Sequence, residues 1–118
     1  MHVGIDIDGT ITRHPAFFAF LAGSLRAAGH RVTIVTYRHD RASAAEDLAA
    51  MGVAYDALVS WDPDIVPIPN FDRWKGDVCA HLGIELFFED RPETINHLPA
   101  GTVGLLVVAP EAGLVFYD

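Results

Sequence analysis

Short apolar runs alternate with stretches of helical periodicity along the whole chain, and this alternation limits the possible folds more than any other feature. His2–Asp6 reads as a strand, Pro15 to Ala28 as a helix and Arg31–Thr36 as a second strand. A helix from about Asp40 to Met51, closed by Gly52, leads to a weaker third strand, Ala54–Ser60. Asp72 to Leu82 reads as a helix, Glu85–Glu89 as a strand, Arg91–Leu98 as a short helix and Thr102–Val108 as a fully apolar strand. A last extended piece, Leu114–Tyr117, adds an edge strand. The punctuation agrees: Pro15 and Pro92 suit first helical turns, while Gly29, Gly83 and Pro99 follow helix ends. Phe17, Phe18, Leu21, Leu25 and Ala28 recur at helical spacing, as do Trp74, Val78 and Leu82. Ser43 and Glu46 have the spacing of a capping box. The stretch Trp61–Phe71, with three prolines, is the one long loop.

Strands alternating with helices at this spacing imply βαβ units, a parallel sheet covered on both faces and right-handed crossovers. A chain of 118 residues holds one domain, residues 1–118. With 51% hydrophobic residues it has the material for a core, which excludes disorder. No apolar run approaches the roughly 20 residues of a membrane span, and Val103 to Ala109 has the length of a buried strand. The net charge of −8, with no basic run, argues against nucleic acid as a partner. Cys79 is the single cysteine, so no internal disulfide forms. The opening MHVGIDID lacks a secretory pattern, and the expected location is cytoplasmic.

In such sheets chemistry gathers at the carboxyl ends of the strands. The first strand ends in Asp6-Ile7-Asp8-Gly9-Thr10, two acids on one side of an extended backbone followed by a glycine that frees the turn. Like charges that close need a cation or a shared proton. The second strand ends in Thr36, followed by Tyr37 and Arg38, and the fourth ends in Glu89-Asp90. Lys75, the only lysine, opens the helix leading into that fourth strand. Acids from two strand ends suit Mg2+, a hard cation. A further carboxylate can attack phosphorus, a second acid can carry protons, and a hydroxyl and an ammonium can bind phosphoryl oxygens.

Asp6-x-Asp8-Gly9-Thr10, Thr36, Lys75 and Glu89-Asp90, in that order, resemble the four motifs of the haloacid dehalogenase superfamily of phosphatases. The resemblance spans residues 2 to about 98. It implies a Rossmann-like three-layer α/β/α sandwich with a central parallel sheet of about five strands. It also implies Mg2+-dependent hydrolysis of a soluble phosphomonoester through an aspartyl-phosphate. Asp6 is then the nucleophile and Asp8 the acid/base, whose backbone carbonyl also contacts Mg2+. Thr36 binds the phosphoryl group, Lys75 balances the charge, and Asp90 is the second metal carboxylate. Glu89 or Glu93 reaches the metal directly or through water. Thr10, Tyr37 and Arg38 are expected at the substrate. Relatives usually carry a cap domain, but only 22 residues separate Thr10 from Thr33 and 14 separate Ser60 from Lys75, so no cap fits.

Blander readings stand beside these. Asp before Gly-Thr is common at strand exits, Thr36 is also a β-branched strand residue, and Lys75 could be a solvated helix lysine. Asp90 can cap the Pro92 helix while binding metal. The six histidines show no zinc-site spacing. His14 and His39 lie on strand-exit loops, Cys79 reads as packing, and Phe87, Phe88, Val107 and Val108 read as core. Arg38 and Arg41 either grip an anionic group or sit solvated at a helix start. The rival functions are phosphoryl transfer to a second substrate and a non-catalytic phosphate-binding domain. Glu89-Asp90-Arg91-Pro92 is similar to the Asp-Asp-Arg-Pro element of the deoxyribonucleotidase branch, which brings in nucleotide monophosphates. Without a cap, water is excluded by a large substrate or by a neighbouring subunit. A homo-oligomer with the Pro-rich loop near the shared surface is therefore expected.

Overall fold

Every strand pairs in parallel, so each connection must cross the sheet, and the apolar pattern decides which face receives it. The computed structural model describes residues 1–62, 64 and 71–108. Its strands are β1 (His2–Ile5), β2 (Arg31–Thr36), β3 (Ala57–Ser60), β4 (Leu86–Glu89) and β5 (Val103–Leu106). They form one five-stranded sheet in the order β3-β2-β1-β4-β5. The helices are α1 (Pro15–Ala27), α2 (Arg41–Ala50), α3 (Phe71–Leu82) and α4 (Pro92–Ile95). Strand order reverses at β1, which puts its carboxyl end and that of β4 at the switch point.

Two apolar layers flank the sheet. Phe18 and Ala22 of α1 and Ala44 and Leu48 of α2 pack with Val3, Ile5, Val32 and Ile34. On the other face Trp74 and Cys79 of α3 pack with Val35, Ile84 and Phe87. The alternation of Ile34 and Val35 between the two layers is the two-residue period of a strand. Gly4 is a packing requirement, because a Cβ there would lie 2.5 Å from the Phe87 ring. The expected α/β architecture with a parallel sheet flanked by helices is observed. No helix among the described residues is long and apolar enough to cross a membrane.

Several details differ from the sequence reading. The third strand starts at Ala57 rather than Ala54, and the fourth helix ends at Ile95. Asp40, not Ser43, caps α2: its Oδ1 accepts from the Ser43 N–H over 3.0 Å, so the Ser43–Glu46 pairing is not the cap. Phe17 is 52% exposed, and Phe18 and Ala22 carry the buried face of α1. The largest departure is β5. Among the described residues its apolar run is an edge strand, with Val103, Leu105 and Leu106 exposed, and Val108 is 67% exposed rather than core. The physical reason is position: among the described residues β5 pairs with β4 alone, and composition does not distinguish an edge from a centre. Leu114–Tyr117, and most of the Pro-rich stretch assigned to a shared surface, lie outside the described residues. Phe71, placed in that loop, begins α3.

Candidate functional site

The chain leaves β1 through a five-residue turn, Ile7–Ile11, closed by the Thr12 N–H donating to the Ile7 carbonyl over 3.1 Å. Gly9 makes this turn possible. Its φ is +79°, and a Cβ there would lie 2.0 Å from Asp90 Oδ2. The turn therefore presses against the end of β4, and Asp6, Asp8, Gly9, Tyr37, Glu89, Asp90 and Arg91 line one hollow of about 290 Å3.

Asp6 is buried at the end of β1, with its carboxylate fixed from two directions. Lys75 Nζ donates to Oδ1 over 2.6 Å, and the Thr10 hydroxyl donates to Oδ2 over 3.0 Å. Lys75 also donates to Glu89 Oε2 over 2.8 Å and has no exposed surface. It reaches the strand ends because Gly76, the next residue, lets α3 approach the α4 segment. A Cβ at Gly76 would stand 2.1 Å from the His97 carbonyl oxygen.

One ammonium thus pairs with two carboxylates, Asp6 and Glu89, and a third, Asp90, stands beside them. Asp6, Glu89 and Asp90 each offer an oxygen within 4.8 Å of the others. Burial, only partly offset by Lys75, pushes the Asp6 carboxyl up to about 6. The same balance pushes Glu89 up to about 7, with the charge of Asp6 contributing. For Lys75, burial works downward, but the charges of Asp6 and Glu89 prevail and raise it. Glu89 Oε1 is buried with no hydrogen-bond partner among the described residues. An excess of buried negative charge with an orphaned carboxylate oxygen is the donor chemistry a hard divalent cation would satisfy.

The two acids of the opening motif do not point together as the extended-strand reading expected. The turn rotates Asp8 outward, where Arg38 holds it in a bidentate pair, Nε to Oδ2 at 2.9 Å and Nη2 to Oδ1 at 2.7 Å. Those hydrogen bonds keep the Asp8 carboxyl below its ordinary range against a smaller effect of burial. Asp6 instead meets like charge from Asp90 and Glu89.

Arg38 is not free for substrate in this structure, since Asp47 of α2 takes its remaining nitrogen, Nη1. The Thr36 hydroxyl is buried and accepts from the Arg38 N–H over 3.1 Å, which leaves its proton available. Tyr37 forms part of a stack: Phe71 lies 3.9 Å from its ring centroid and Lys75 Nζ 4.5 Å from it. Its hydroxyl donates to the Phe71 carbonyl over 2.7 Å. Thr10 orients Asp6 rather than facing the hollow. Buried Cys79, its thiol pushed up to about 12 mainly by burial, is packing as expected.

Two residues at the site lie outside the motifs of the sequence. Arg91 lines the hollow, with its guanidinium 5.3 Å from the Phe71 ring centroid and Nη2 donating to Asp72 Oδ1 over 2.9 Å. Its place directly after Asp90 was the available signal. Asp47, which braces Arg38, gave no signal, because it lies mid-helix among ordinary polar residues.

No protein-family model matches the sequence, and no curated protein matches it. Among solved structures the chain is similar to one from the "Structure of Pnkp1/Rnl/Hen1 complex", with a TM-score of 0.60 and 17% sequence identity. The likeness covers 91% of this chain and 47% of that one, so this chain spans about half the length of its neighbour. At that identity the likeness establishes the fold alone, a parallel α/β sheet.

Proposed function

We propose that this chain is a capless, Mg2+-dependent phosphomonoester hydrolase of the haloacid dehalogenase type, acting through an aspartyl-phosphate on Asp6. The observation that carries this reading is the fixation of the buried Asp6 carboxylate by Lys75 and Thr10 beside Glu89 and Asp90. Asp6, Asp90 and Glu89 would hold the metal, with the Asp8 backbone carbonyl alongside. When bound, the ion supplies charge neutralisation to an incoming phosphoryl group.

Asp6 uses a carboxylate oxygen to attack phosphorus as the ester P–O bond breaks. Lys75 keeps that carboxylate aimed, and the Thr36 hydroxyl donates to a phosphoryl oxygen. Asp8 leaves the Arg38 fork by side-chain rotation, which its 62% exposure permits, and delivers a proton to the leaving oxygen. Water then attacks the phosphorus, giving a proton to Asp8, and the bond to Asp6 breaks to release inorganic phosphate.

A domain that only bound phosphate would have little use for Lys75, Asp6 and Glu89 together in a dry interior. Buried ion pairs are poor contributors to stability compared with apolar packing. Asp6→Asn tests the reading directly. It keeps the shape and leaves Lys75 paired with Glu89, so the far-UV spectrum should be unchanged while Mg2+-dependent hydrolysis of p-nitrophenyl phosphate disappears. Substantial residual turnover in Asp6→Asn would exclude the covalent route.

A further inference from the structure

At the opposite end of the sheet a hollow of about 610 Å3 is lined by Gly23, Arg26, Gly29, His30, Arg31 and Asp56, among others. Arg31 opens β2 and Thr36 closes it. At about 3.3 Å per residue, the hollow is roughly 17 Å from the carboxyl-end site. The proposed hydrolase reading makes no use of it.

Its charge runs against that of the chain, which carries −8 overall. Asp56 is fully engaged: Oδ1 accepts from Arg26 Nε over 3.1 Å and Oδ2 accepts from the Val32 N–H over 2.8 Å. It therefore braces Arg26, whose two terminal nitrogens have no protein partner among the described residues. Arg31 forms no ion pair among those residues. Two guanidiniums against one occupied carboxylate leave a net positive surface. Three carbonyls near the end of α1, those of Ser24, Leu25 and Arg26, are not free acceptors, because they receive the Ala28, His30 and Gly29 N–H groups.

Gly23 is a separate observation. It lies inside α1, where glycine costs about 1 kcal/mol relative to alanine. A Cβ at Gly23 would meet nothing within 4 Å, so no contact inside the protein requires the glycine. Its effect is to keep the wall of this hollow low. Gly29 needs no such explanation, because its φ of +87° belongs to the helix exit.

We infer that this hollow is a binding site for a phosphate-bearing small molecule, with the phosphate held by the free guanidinium nitrogens of Arg26 and Arg31 and the remainder lying over Gly23. Planar guanidinium forks suit phosphate oxygens, and the volume falls within the range of small-ligand sites. The inference does not depend on hydrolysis.

Inorganic phosphate and phenyl phosphate, titrated without Mg2+ into isotope-labelled Asp6→Asn protein at constant ionic strength, provide the test. Amide shifts at Gly23, Gly29 and Arg31 should saturate. Arg31→Ala, a change at an exposed side chain, should weaken both ligands at least tenfold. Gly23→Leu, which fills open space, should weaken phenyl phosphate more than inorganic phosphate. Three results would each overturn the site: shifts that rise linearly and equally with chloride, affinity unaltered in Arg31→Ala, or phenyl phosphate bound equally well by Gly23→Leu.

Discussion

Lys75 and Glu89 form an ion pair closed to water: Nζ donates to Oε2 over 2.8 Å, and neither side chain has exposed surface. The same ammonium holds Asp6 at 2.6 Å. Lys75 is thus both a structural counter-charge and part of the proposed active site, and the two roles can be separated.

Lys75→Met should destabilise the protein by about 3–5 kcal/mol, because it leaves buried carboxylates without their cation. Adding Glu89→Gln should recover part of that loss, since fewer uncompensated charges remain. Urea denaturation of the two single variants and the double variant measures the coupling. Additive effects would contradict a shared buried charge network.

Stability in the absence of divalent metal should fall as pH rises from about 4 to about 7. Asp6 and Glu89 have native pKa values raised to about 6 and about 7. Between their ordinary carboxylate values and these, the native state binds more protons than the unfolded state, so raising pH favours unfolding. The contribution is fully present below the unfolded values and lost above about pH 7. Asp8 and Asp56, with lowered values, act in the opposite sense and only in the acid range. Melting temperatures at pH 5 and pH 8 should differ less in Glu89→Gln than in the wild type.

Gly9→Ala should impair both fold and site. The positive φ alone costs about 1–2 kcal/mol for an L side chain, and the new methyl group would collide with Asp90. A loss of thermal stability together with loss of Mg2+-dependent activity is expected. Wild-type activity in Gly9→Ala would show that Asp90 does not need its present position.

Millimolar Mg2+ should raise the melting temperature of the wild type, since a ligand at 100 times its Kd adds about 2.7 kcal/mol to the native state. Asp90→Asn should reduce or abolish this rise by removing a donor from the Asp6–Glu89–Asp90 set. Calorimetric scans with and without Mg2+ give the answer. A Mg2+ effect that persists undiminished in Asp90→Asn would move the ion elsewhere.

The succession of elements is legible in the chain alone, because strand and helix periods are local and glycine and proline mark their ends. Pro15, Gly29, Gly83 and Pro92 stand where a helix starts or stops for reasons written in their own backbones. It also brought Asp6, Lys75, Glu89 and Asp90 into one region, since a parallel sheet collects its carboxyl ends on one side. What it left open were directions and partners. The turn at Gly9 sends Asp8 away from Asp6 to Arg38, and Asp47 completes that pair from nine residues further along. Whether the apolar Val103–Leu106 is centre or edge depends on strand order, which has no local signature. Tertiary structure decided these matters because a charge chooses its partner by distance through space and by exclusion of water. Neither quantity is a property of a residue's neighbours along the chain.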